Sequence, residues 1–538
     1  MTLDFFDIIV LFSILTLIVL LFNEFKRDLM LFQQNSYRPE RYKKWLRESG
    51  DTTSLYRIIG MCLVLFSLSG FKMQGFAAIC ISFYAIVGNV ILLVRKYKKP
   101  LVVTARIKRL SWTLLLITIL ISVAAIFASF YGLFGLILPF YTITVVLLLI
   151  YCSSHFFVLL SYYFTKPIEK SINRKYYISA QKKLKALPDL RIIGITGSYG
   201  KTSTKHYLHR ILSEEYETLM TPGSFNTTLG VVRTINENLK PFHQAFIVEM
   251  GAKQKGDIKE ICDLVHPSVG IITAVGPQHL ETFQTIDNVR DTKFELVDSL
   301  PKNGTAVLNN DFAEIEHRNV DNCNVIRYSC KEQNDAAFIA HDIKYHQNGT
   351  NFLLKCPDGH SIPFETQLLG KHNIANLTGA IAVAITLNVP EDKIKYSVSH
   401  IEPVEHRLSI RRVGNGLTIL DDAFNSNPMG AAMAIEVLSA MDSGKRIVIT
   451  PGMIELGSEQ YNLNFQLGKK IAEEKIDFVA VVGNYNKKAI TEGLISGGQN
   501  ETTILHFEKF IDANNWMIAF TSPGDVVLIE NDLPDTYK

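Results

Sequence analysis

The sequence predicts an α-helical transmembrane region followed by α/β domains, and two observations support this fold class. The chain has 538 residues, of which 47% are hydrophobic, and its mean hydropathy is +0.14, which is high for a wholly soluble protein. Nearly continuous apolar sequence fills residues 1–165, whereas short β-rich runs alternate with helical patterns after Arg191. We therefore expect a membrane region at 1–165 and soluble domains from residue 191 onward.

Apolar runs in the first region predict about five transmembrane helices. The second run is short, and the last is long enough to tilt or kink. The first run carries Asp4 and Asp7 rather than a basic segment, and no small-residue cleavage site follows it, so we interpret it as a retained anchor. The runs cover about Phe5–Phe22, Ile58–Gly70, Gly75–Val94, Trp112–Tyr131 and Phe134–Tyr163.

The loops between these runs predict the orientation of the chain. Basic residues follow the first and third runs, and the other two turns carry almost no charge. Because basic loops stay in the cytoplasm, we expect a multi-pass protein of the cell membrane with its N-terminus outside and its soluble domains in the cytoplasm. The basic residues are Lys26, Arg27, Arg38, Arg41, Lys43, Lys44, Arg47, Arg57, Arg95, Lys96, Lys98, Lys99, Arg106, Lys108 and Arg109.

Residues 166–190 form a basic linker between the two regions. The stretch predicts either a juxtamembrane helix near anionic headgroups or an ordinary solvated helix face. The whole chain has a formal net charge of only +3, which argues against a nucleic-acid partner. Its seven cysteines form no Cys-x-x-Cys pair, so a zinc site or a disulfide framework is not expected.

The soluble region divides into two predicted α/β domains, at 191–402 and 403–538. Strand candidates alternate with helical patterns in both, which favours mostly parallel sheets. The candidates are Arg191–Ile195, Ala245–Val248, Val269–Ile272, Leu417–Leu420, Arg446–Thr450, Phe478–Val482 and Val526–Ile529.

A glycine-rich segment follows the first of these strands and precedes a helix. Glycines let backbone N–H groups close around phosphate oxygens, Lys201 can reach the terminal phosphates, and the Thr202 hydroxyl can hold Mg²⁺. The pattern GxxxxGK[ST] is not met strictly, because Ile195 occupies its first glycine position. The segment predicts a central P-loop ATPase domain followed by a Rossmann-like C-terminal domain, and it comprises Thr196, Gly197, Ser198, Tyr199, Gly200, Lys201, Thr202 and Ser203.

This loop resembles that of the Mur ligases, and further motifs match the family in order between Arg191 and Gly457. The nearest pattern is that of the branch that joins D-alanyl-D-alanine to the muramoyl tripeptide. The matching segments are Thr221–Asn226, Val248–Ala252, Gly276–Glu281, Lys293–Glu295, Gly370–Asn376, His406–Arg407 and Asp421–Pro428.

The resemblance implies ATP and Mg²⁺ as cofactors and assigns the metal-binding groups. Glu249 ends a buried strand beside the loop, where a carboxylate can hold Mg²⁺ directly or through water. His279 follows a strand at the sheet edge where ligands bind, and only the family match assigns it to metal. The implied metal set is Thr202, Glu249, His279 and Lys293, the last as a carbamylated lysine.

The resemblance also implies contacts to the nucleotide beyond the loop. Asn373 and Asn376 match the adenine-contacting segment, Arg407 the phosphate contact and Asp422 the ribose contact. Ordinary capping or packing roles are the alternative for each. With Lys201, Lys293 and His279, Arg407 completes the implied catalytic set, supplied by closure of the C-terminal domain.

The implied reaction is ATP-dependent formation of an amide bond. A carboxylate attacks the γ-phosphate to give an acyl phosphate and ADP, and an amino acid or peptide amine then displaces phosphate. The muramoyl ligases carry a soluble UDP-binding domain where this chain has apolar runs. The donor carboxylate, an envelope precursor, is therefore either lipid-linked or bound with less use of the uridine.

The sequence leaves three alternatives to this function. Within the ligases, a poly-γ-glutamate or folylpolyglutamate synthase is the alternative. Leu494–Gln499 resembles a transporter signature, but no hydrophobic strand ending in Asp-Glu follows it. An inactive ATP-binding regulator is a third possibility, against which the retention of Lys201, Thr202 and Glu249 argues.

Overall fold

A computed structural model gives the conformation of most of the chain. The structure describes residues 5–69, 73–95, 97, 100–131, 139–278, 280–332, 335–346, 349–404, 408–413, 416–423, 426–441 and 444–531. The described residues divide after Asn173 into two compact units.

The first unit is helical, as the apolar composition predicts. Its helices are α1 (Phe5–Gln34), α2 (Pro39–Ser49), α3 (Leu55–Ser69), α4 (Gln74–Val94), α5 (Ala105–Phe130), α6 (Pro139–Cys152) and α7 (Ser154–Lys185). The last helix continues past Asn173, so the predicted boundary at residue 165 and the division of the units both fall inside α7.

Among the described residues, three helices are long and apolar enough to cross a membrane. These are α1, α4 and α5, and a fourth span is reached if α6 and α7, bent by 81° at their junction, count as one. The predicted second span forms α3, whose 15 residues extend about 22 Å, shorter than a hydrocarbon core of about 30 Å. The number of about five spans stays a prediction.

Charged side chains are buried where these helices meet. Arg27 contacts Glu24 at 2.7 Å and also pairs with Asp51. Arg57 pairs with Glu24 and donates to the carbonyl oxygen of Tyr151 at 2.9 Å. His155 lies 3.1 Å from Asp28 and 2.9 Å from Asp51. We call this set the bundle charge cluster: Glu24, Arg27, Asp28, Asp51, Arg57 and His155.

The second unit contains two sheets. In the described residues the first sheet has the order β2-β3-β1-β4-β5-β6-β7-β8-β9, parallel from β2 to β7 and antiparallel from β7 to β9. Its strands are β1 (Arg191–Thr196), β2 (Thr218–Met220), β3 (Ala245–Glu249), β4 (Val269–Ile272), β5 (Thr305–Asn309), β6 (Asn324–Ser329), β7 (Phe338–His346), β8 (Gly349–Lys355) and β9 (Ser361–Thr366).

Helices cover both faces of this sheet, which explains why β1, β3 and β4 are almost continuously apolar. One face packs mainly against α8 and α14, and the other against α9, α10 and α12. The helices are α8 (Lys201–Leu212), α9 (Thr228–Asn238), α10 (Asp257–Val265), α11 (Leu280–Phe283), α12 (Ile286–Asp298), α13 (Ala313–Glu316), α14 (Lys371–Thr386) and α15 (Glu391–Ser399).

The second sheet lies in the C-terminal part of the same unit. Its order is β10-β11-β15-β12-β13-β14, parallel except for the β10–β11 pair. This arrangement and the first sheet confirm the predicted fold class. The elements are β10 (Ser409–Arg412), β11 (Thr418–Asp422), α16 (Pro428–Ser439), β12 (Arg446–Thr450), α17 (Gln460–Glu473), β13 (Phe478–Val482), α18 (Lys487–Ser496), β14 (Ile504–Phe507), α19 (Phe510–Phe520) and β15 (Val526–Glu530).

Candidate active site

The phosphate loop connects the carboxyl end of β1 to the start of α8. Gly197 and Gly200 have φ values of +153° and +78°, in the region that favours glycine. A Cβ at Gly197 would lie 2.1 Å from the Thr273 hydroxyl, and one at Gly200 would lie 2.1 Å from the Asn376 side chain. Both glycines are therefore required by backbone conformation and by space, as a loop that wraps closely around phosphate demands.

Side chains of the loop fix its shape. Ser198 donates its hydroxyl to the Gly276 carbonyl at 3.0 Å and accepts from the Gly276 amide at 3.1 Å. Tyr199 donates its hydroxyl to the Pro277 carbonyl at 3.0 Å. Lys201 donates to the carbonyl oxygens of Gly197 and Ser198 at 2.7 and 3.2 Å. Its ammonium group thus lies over the loop, where a terminal phosphate would bind.

Glu249 lies next to the loop because β3 pairs with β1, with Glu249 opposite Ile195. Its carboxylate is 1% exposed, and Oε1 accepts from the Thr202 hydroxyl at 3.2 Å and from the Asn226 amide at 3.1 Å. Thr202, Glu249 and Asn226 together supply the oxygen ligands that Mg²⁺ prefers.

Lys205 is a buried cation in this site that the sequence analysis missed. Its side chain is 0% exposed, and its ammonium lies 3.0 Å from Glu249 Oε2 and donates to the Gly223 carbonyl at 2.6 Å. Burial opposes ionisation of Glu249, but Lys205 and Lys201 outweigh it and hold the pKa of that carboxyl below its usual value. The available signal was the spacing: Lys205 follows Lys201 by four residues, on the same face of α8.

Lys293 is buried in α12 and lies 5.9 Å from the centre of the Phe283 ring. Burial, followed by the positive charge of Lys201, lowers the pKa of Lys293 to about 7. A substantial fraction of this amine is therefore neutral near pH 7, which is the form that reacts with carbon dioxide to give a carbamate. The predicted carbamylation fits this environment.

Two predicted site residues, His279 and Arg407, lie outside the residues that the structure describes. The segment before the first of them is defined up to Gln278, and Tyr199 of the phosphate loop is bonded to Pro277 within it. The roles assigned to His279 and Arg407 stay predictions.

The two asparagines of α14 have different environments. Asn376 touches the loop at Gly200. Asn373 is buried, accepts from the Tyr207 hydroxyl at 2.9 Å and donates to the Leu369 carbonyl at 2.9 Å. The Asn373 amide therefore joins α14 to α8, and an adenine contact would use its second N–H or its second oxygen lone pair. For both asparagines the adenine contact stays a prediction.

Asp422 ends β11 beside Glu530, its neighbour in the parallel register of β15. Its Oδ1 accepts from the Leu408 amide at 3.0 Å, and the Leu408 side chain lies 3.6 Å from where a Cβ of Gly370 would be, just before α14. A further link is the ion pair of Lys253 with Glu455 at 3.8 Å. These contacts hold the second sheet against the edge of the domain that carries the phosphate loop.

Glu530 is a second carboxylate that the sequence analysis did not single out. It is 1% exposed and accepts from the Ser426 hydroxyl. Burial, followed by the charge of Asp422, raises the pKa of Glu530 well above its usual value. The protonated form of Glu530 is therefore favoured beside Asp422.

The parallel sheet, the glycine loop and the buried carboxylate define a nucleoside-triphosphate-binding enzyme of the phosphate-loop class. Residues 195–384 match the Mur ligase middle domain, and residues 406–530 match the Mur ligase glutamate ligase domain. The UDP-N-acetylmuramoyl-tripeptide–D-alanyl-D-alanine ligase of Escherichia coli is 30% identical over 338 residues, which cover 62% of this chain and 74% of that enzyme. The chain belongs to the Mur ligase family.

Solved structures agree with this assignment. The crystal structure of MurF from Acinetobacter baumannii matches with a TM-score of 0.60 and 26% identity, covering 68% of this chain and 78% of that one. MurF from Thermotoga maritima, crystallised with ADP, has the same TM-score at 23% identity, covers 67% of this chain and 80% of that one, and shows the shared fold. Mur ligases are ATP- and Mg²⁺-dependent enzymes that form amide bonds, and this chain is a MurF-like ligase of peptidoglycan synthesis.

The family assignment also argues against the transporter alternative. Leu494–Ser496 end α18, and Gly498, with φ +91°, turns the chain away from the helix. The segment lies inside the matched glutamate ligase domain and is a helix-terminating turn.

Proposed function

We propose that this chain is a membrane-anchored ligase that couples ATP cleavage to an amide bond between a muramoyl-peptide carboxylate and D-alanyl-D-alanine. The observation that carries the proposal is the charge of the phosphate-loop cluster, which we define as Lys201, Lys205, Glu249 and Lys293. The ammonium groups of Lys205 and Lys201 act on one carboxylate, Glu249, and Lys201 also acts on the partly neutral amine of Lys293. These two ammonium groups exceed the one carboxylate by one positive charge, which a polyanion such as a triphosphate matches.

In this proposal Lys201 leaves the carbonyl oxygens of Gly197 and Ser198 and binds the terminal phosphates. Thr202, Glu249 and carbamylated Lys293 hold Mg²⁺, together with His279. When bound, Mg²⁺ neutralises charge on the phosphates. Lys205 holds the Glu249 carboxylate in its ionised form. The protein thereby positions the donor carboxylate and stabilises the charge that moves onto ADP.

The C-terminal domain, which we place at residues 403–538, contributes Arg407 to phosphate and Asp422 to the ribose in this proposal. The bond from the Leu408 amide fixes Asp422 next to the residue that follows Arg407. A carboxylate at Asp422 would accept hydrogen bonds from ribose hydroxyls.

The helices of the first unit anchor the chain in the cell membrane in this proposal. Large apolar side chains of α1, α4 and α5 are exposed, among them Phe22, Phe83 and Trp112 at 69%, 69% and 70%. Bilayer lipid is the solvent that such surfaces need. Basic residues follow α1 and α4, so both of these ends lie in the cytoplasm in this proposal. The chain then crosses back between them through α3, a short span with local thinning of the bilayer, and crosses twice more through α5 and α6 before the ligase domains.

A lipid-linked donor follows from this location. The match to the E. coli enzyme covers 74% of that enzyme and 62% of this chain, so each protein has a part without a counterpart in that match. A muramoyl tripeptide on a lipid carrier would be held at the membrane without a uridine-binding domain. We therefore expect the lipid-linked tripeptide to be the better donor.

The test is a reconstitution of the full chain in vesicles with ATP, Mg²⁺ and D-alanyl-D-alanine. Either UDP-linked or lipid-linked muramoyl tripeptide is added, and mass spectrometry follows the new amide. We expect one ADP per amide, with release only when both donor and amine are present. ADP release that ignores the amine would contradict the ligase, and preference for the UDP-linked donor would contradict the lipid-linked substrate. Proteolysis of the ligase domains in inside-out vesicles, and their protection in right-side-out vesicles, tests the orientation.

A further inference from the structure

The junction of α6 and α7 changes the direction of the chain sharply. Residues of α6 such as Tyr141 and Leu148 are fully buried among α1, α3 and α4, so α6 runs with the bundle. The chain then bends by 81° between Cys152 and Ser154. The first half of α7 therefore runs across the direction of α6, close to a right angle.

One face of this half of α7 packs on the bundle. Val158, Ser161, Thr165 and Glu169 are buried, with the three- and four-residue spacing of one helix face. Glu169 accepts from Arg109 of α5 at 2.5 Å. This face explains how α7 is held in place.

The opposite face is apolar and exposed. Phe156, Tyr163 and Phe164 are exposed by 61%, 51% and 61%, and Leu160 and Pro167 share their face by the same spacing. Exposure of this face to water costs a free energy of about 25 cal/mol for each Å² of apolar area. The face therefore requires a covering that the described residues do not supply.

Basic groups flank the apolar face. Between residues 154 and 173 the exposed charged side chains are Lys166 and Lys170, because Glu169 is buried with Arg109. The Tyr42 hydroxyl of α2 lies 2.9 Å from His155 Nδ1 at the start of α7. Lys43, Lys44 and Arg47 of α2 are exposed, so a second set of basic residues lies at the same end of the bundle.

We propose that residues 154–173 of α7 form an in-plane membrane anchor. Its aromatic face lies at the level of the headgroups on the cytoplasmic side, and Lys166 and Lys170 bind anionic headgroups. The inference rests on the membrane anchoring proposed above and adds a specific surface and a lipid class to it. Aromatic side chains and lysines are the residues that favour the membrane interface.

The bilayer is the occupant that the structure favours. The helix leaves an apolar bundle at nearly a right angle, which is the direction of the membrane plane if α6 follows the membrane normal. Its exposed face continues the apolar surface of the spans, and its exposed charges match the negative potential of the cytoplasmic leaflet. A protein partner would require neither the right-angle bend nor an apolar face that continues the surface of the spans.

The test uses tryptophan fluorescence of the full chain in vesicles that contain lipids brominated at defined depths. The chain has three tryptophans, Trp45, Trp112 and Trp516, which are replaced by phenylalanine so that Phe164→Trp is the single reporter. We expect strong quenching by bromines near the headgroup and weak quenching by aqueous iodide. A parallel Phe156→Trp reporter guards against a local folding defect.

Lipid specificity is measured with the same reporter. At equal mole fraction, brominated phosphatidylglycerol should quench at least about twofold more than brominated phosphatidylcholine, since each lysine near an anionic surface contributes about 1 kcal/mol. The Lys166→Gln and Lys170→Gln double variant should lose this excess. Equal quenching by the two lipids in the parent would overturn the anionic contact.

A control separates this inference from the membrane anchoring itself. A chain whose single tryptophan is Phe83→Trp, at an exposed position midway along α4, reports whether the spans lie in lipid. Quenching at position 83 by deep bromines, with iodide quenching alone at positions 156 and 164, would overturn the in-plane anchor and leave the spans intact. Failure of lipid quenching at all three positions would overturn both proposals.

Discussion

The two units each bury a set of charges, and the sets differ in balance. The bundle charge cluster has three carboxylates, two guanidinium groups and an imidazole, so its charges cancel when His155 is protonated. The phosphate-loop cluster has two ammonium groups, those of Lys201 and Lys205, which act on one carboxylate, and the partly neutral amine of Lys293. Buried charges persist when they are paired, and an excess of one sign favours a ligand of the other sign. The comparison assigns a structural role to the first set and a binding role to the second.

The largest expected effect is on the balanced set. Replacement Arg57→Met leaves Glu24 buried with one guanidinium fewer, and loss of one partner of a buried ion pair costs about 3–5 kcal/mol. We expect faster hydrogen exchange in α1 and α3, while ATP binding is retained. Lys44→Met, which removes an exposed pair with Glu48, is the control. Unchanged hydrogen exchange in Arg57→Met would contradict the structural role of the bundle charge cluster.

The next largest effect is expected for Lys201→Ala in the phosphate-loop cluster. Loss of a preorganised phosphate contact should lower ATP turnover by about 10²–10³-fold. Folding should change little, because Lys201 donates to carbonyl oxygens of its own loop, those of Gly197 and Ser198. Turnover and thermal unfolding are measured on the same sample, and near-normal turnover would reject the site.

Lys293→Ala should lower ligase activity by about 10–100-fold, as expected for loss of a group that holds or orients a metal. The pH dependence follows from the lowered pKa of about 7. The neutral amine increases as the pH rises through that value, from about a tenth at pH 6 to about nine tenths at pH 8. At a fixed partial pressure of carbon dioxide, enzyme depleted of bicarbonate should therefore regain activity about tenfold faster at pH 8 than at pH 6. A pH-independent recovery would contradict carbamylation at Lys293.

The smallest expected effect is that of Lys205→Met. Without this cation the burial of Glu249 is less opposed, so the pKa of Glu249 rises and its ionised form is lost as the pH falls. The ratio of activity at pH 6 to activity at pH 8 should therefore fall below that of the parent. Lys259→Met, a replacement of an exposed lysine that pairs with Asp263, should keep the parent profile. An unchanged profile in Lys205→Met would show that Lys205 is not needed to ionise Glu249.

Local patterns predicted the phosphate loop and the strand cores well, because glycine spacing and apolar runs are properties of neighbouring residues. The strands predicted at Arg191, Ala245 and Val269 are present, and so are those of the second sheet. The antiparallel extension of β8 and β9 was not predicted, since its alternating pattern identifies strands but not their neighbours.

Features that depend on tertiary contacts could not be predicted from the sequence. A lysine on a helix is ordinarily a surface residue. The spacing from Lys201 indicates the helix face of Lys205 but not its partner, because Glu249 lies 44 positions away and is brought close by the β1–β3 pairing. Asn373 matches a family motif, yet its amide is bonded to Tyr207 inside the domain. The helical length of α3 depends on where the chain turns, which hydropathy does not specify.

The central claim is that the phosphate-loop cluster activates a carboxylate through an acyl phosphate. A donor labelled with ¹⁸O in its reacting carboxylate tests this claim most directly, with the released phosphate analysed by mass spectrometry. Attack of the carboxylate oxygen on the γ-phosphate, followed by expulsion of phosphate by the amine, transfers one labelled oxygen to phosphate for each amide formed. Amide formation with unlabelled phosphate would contradict the account.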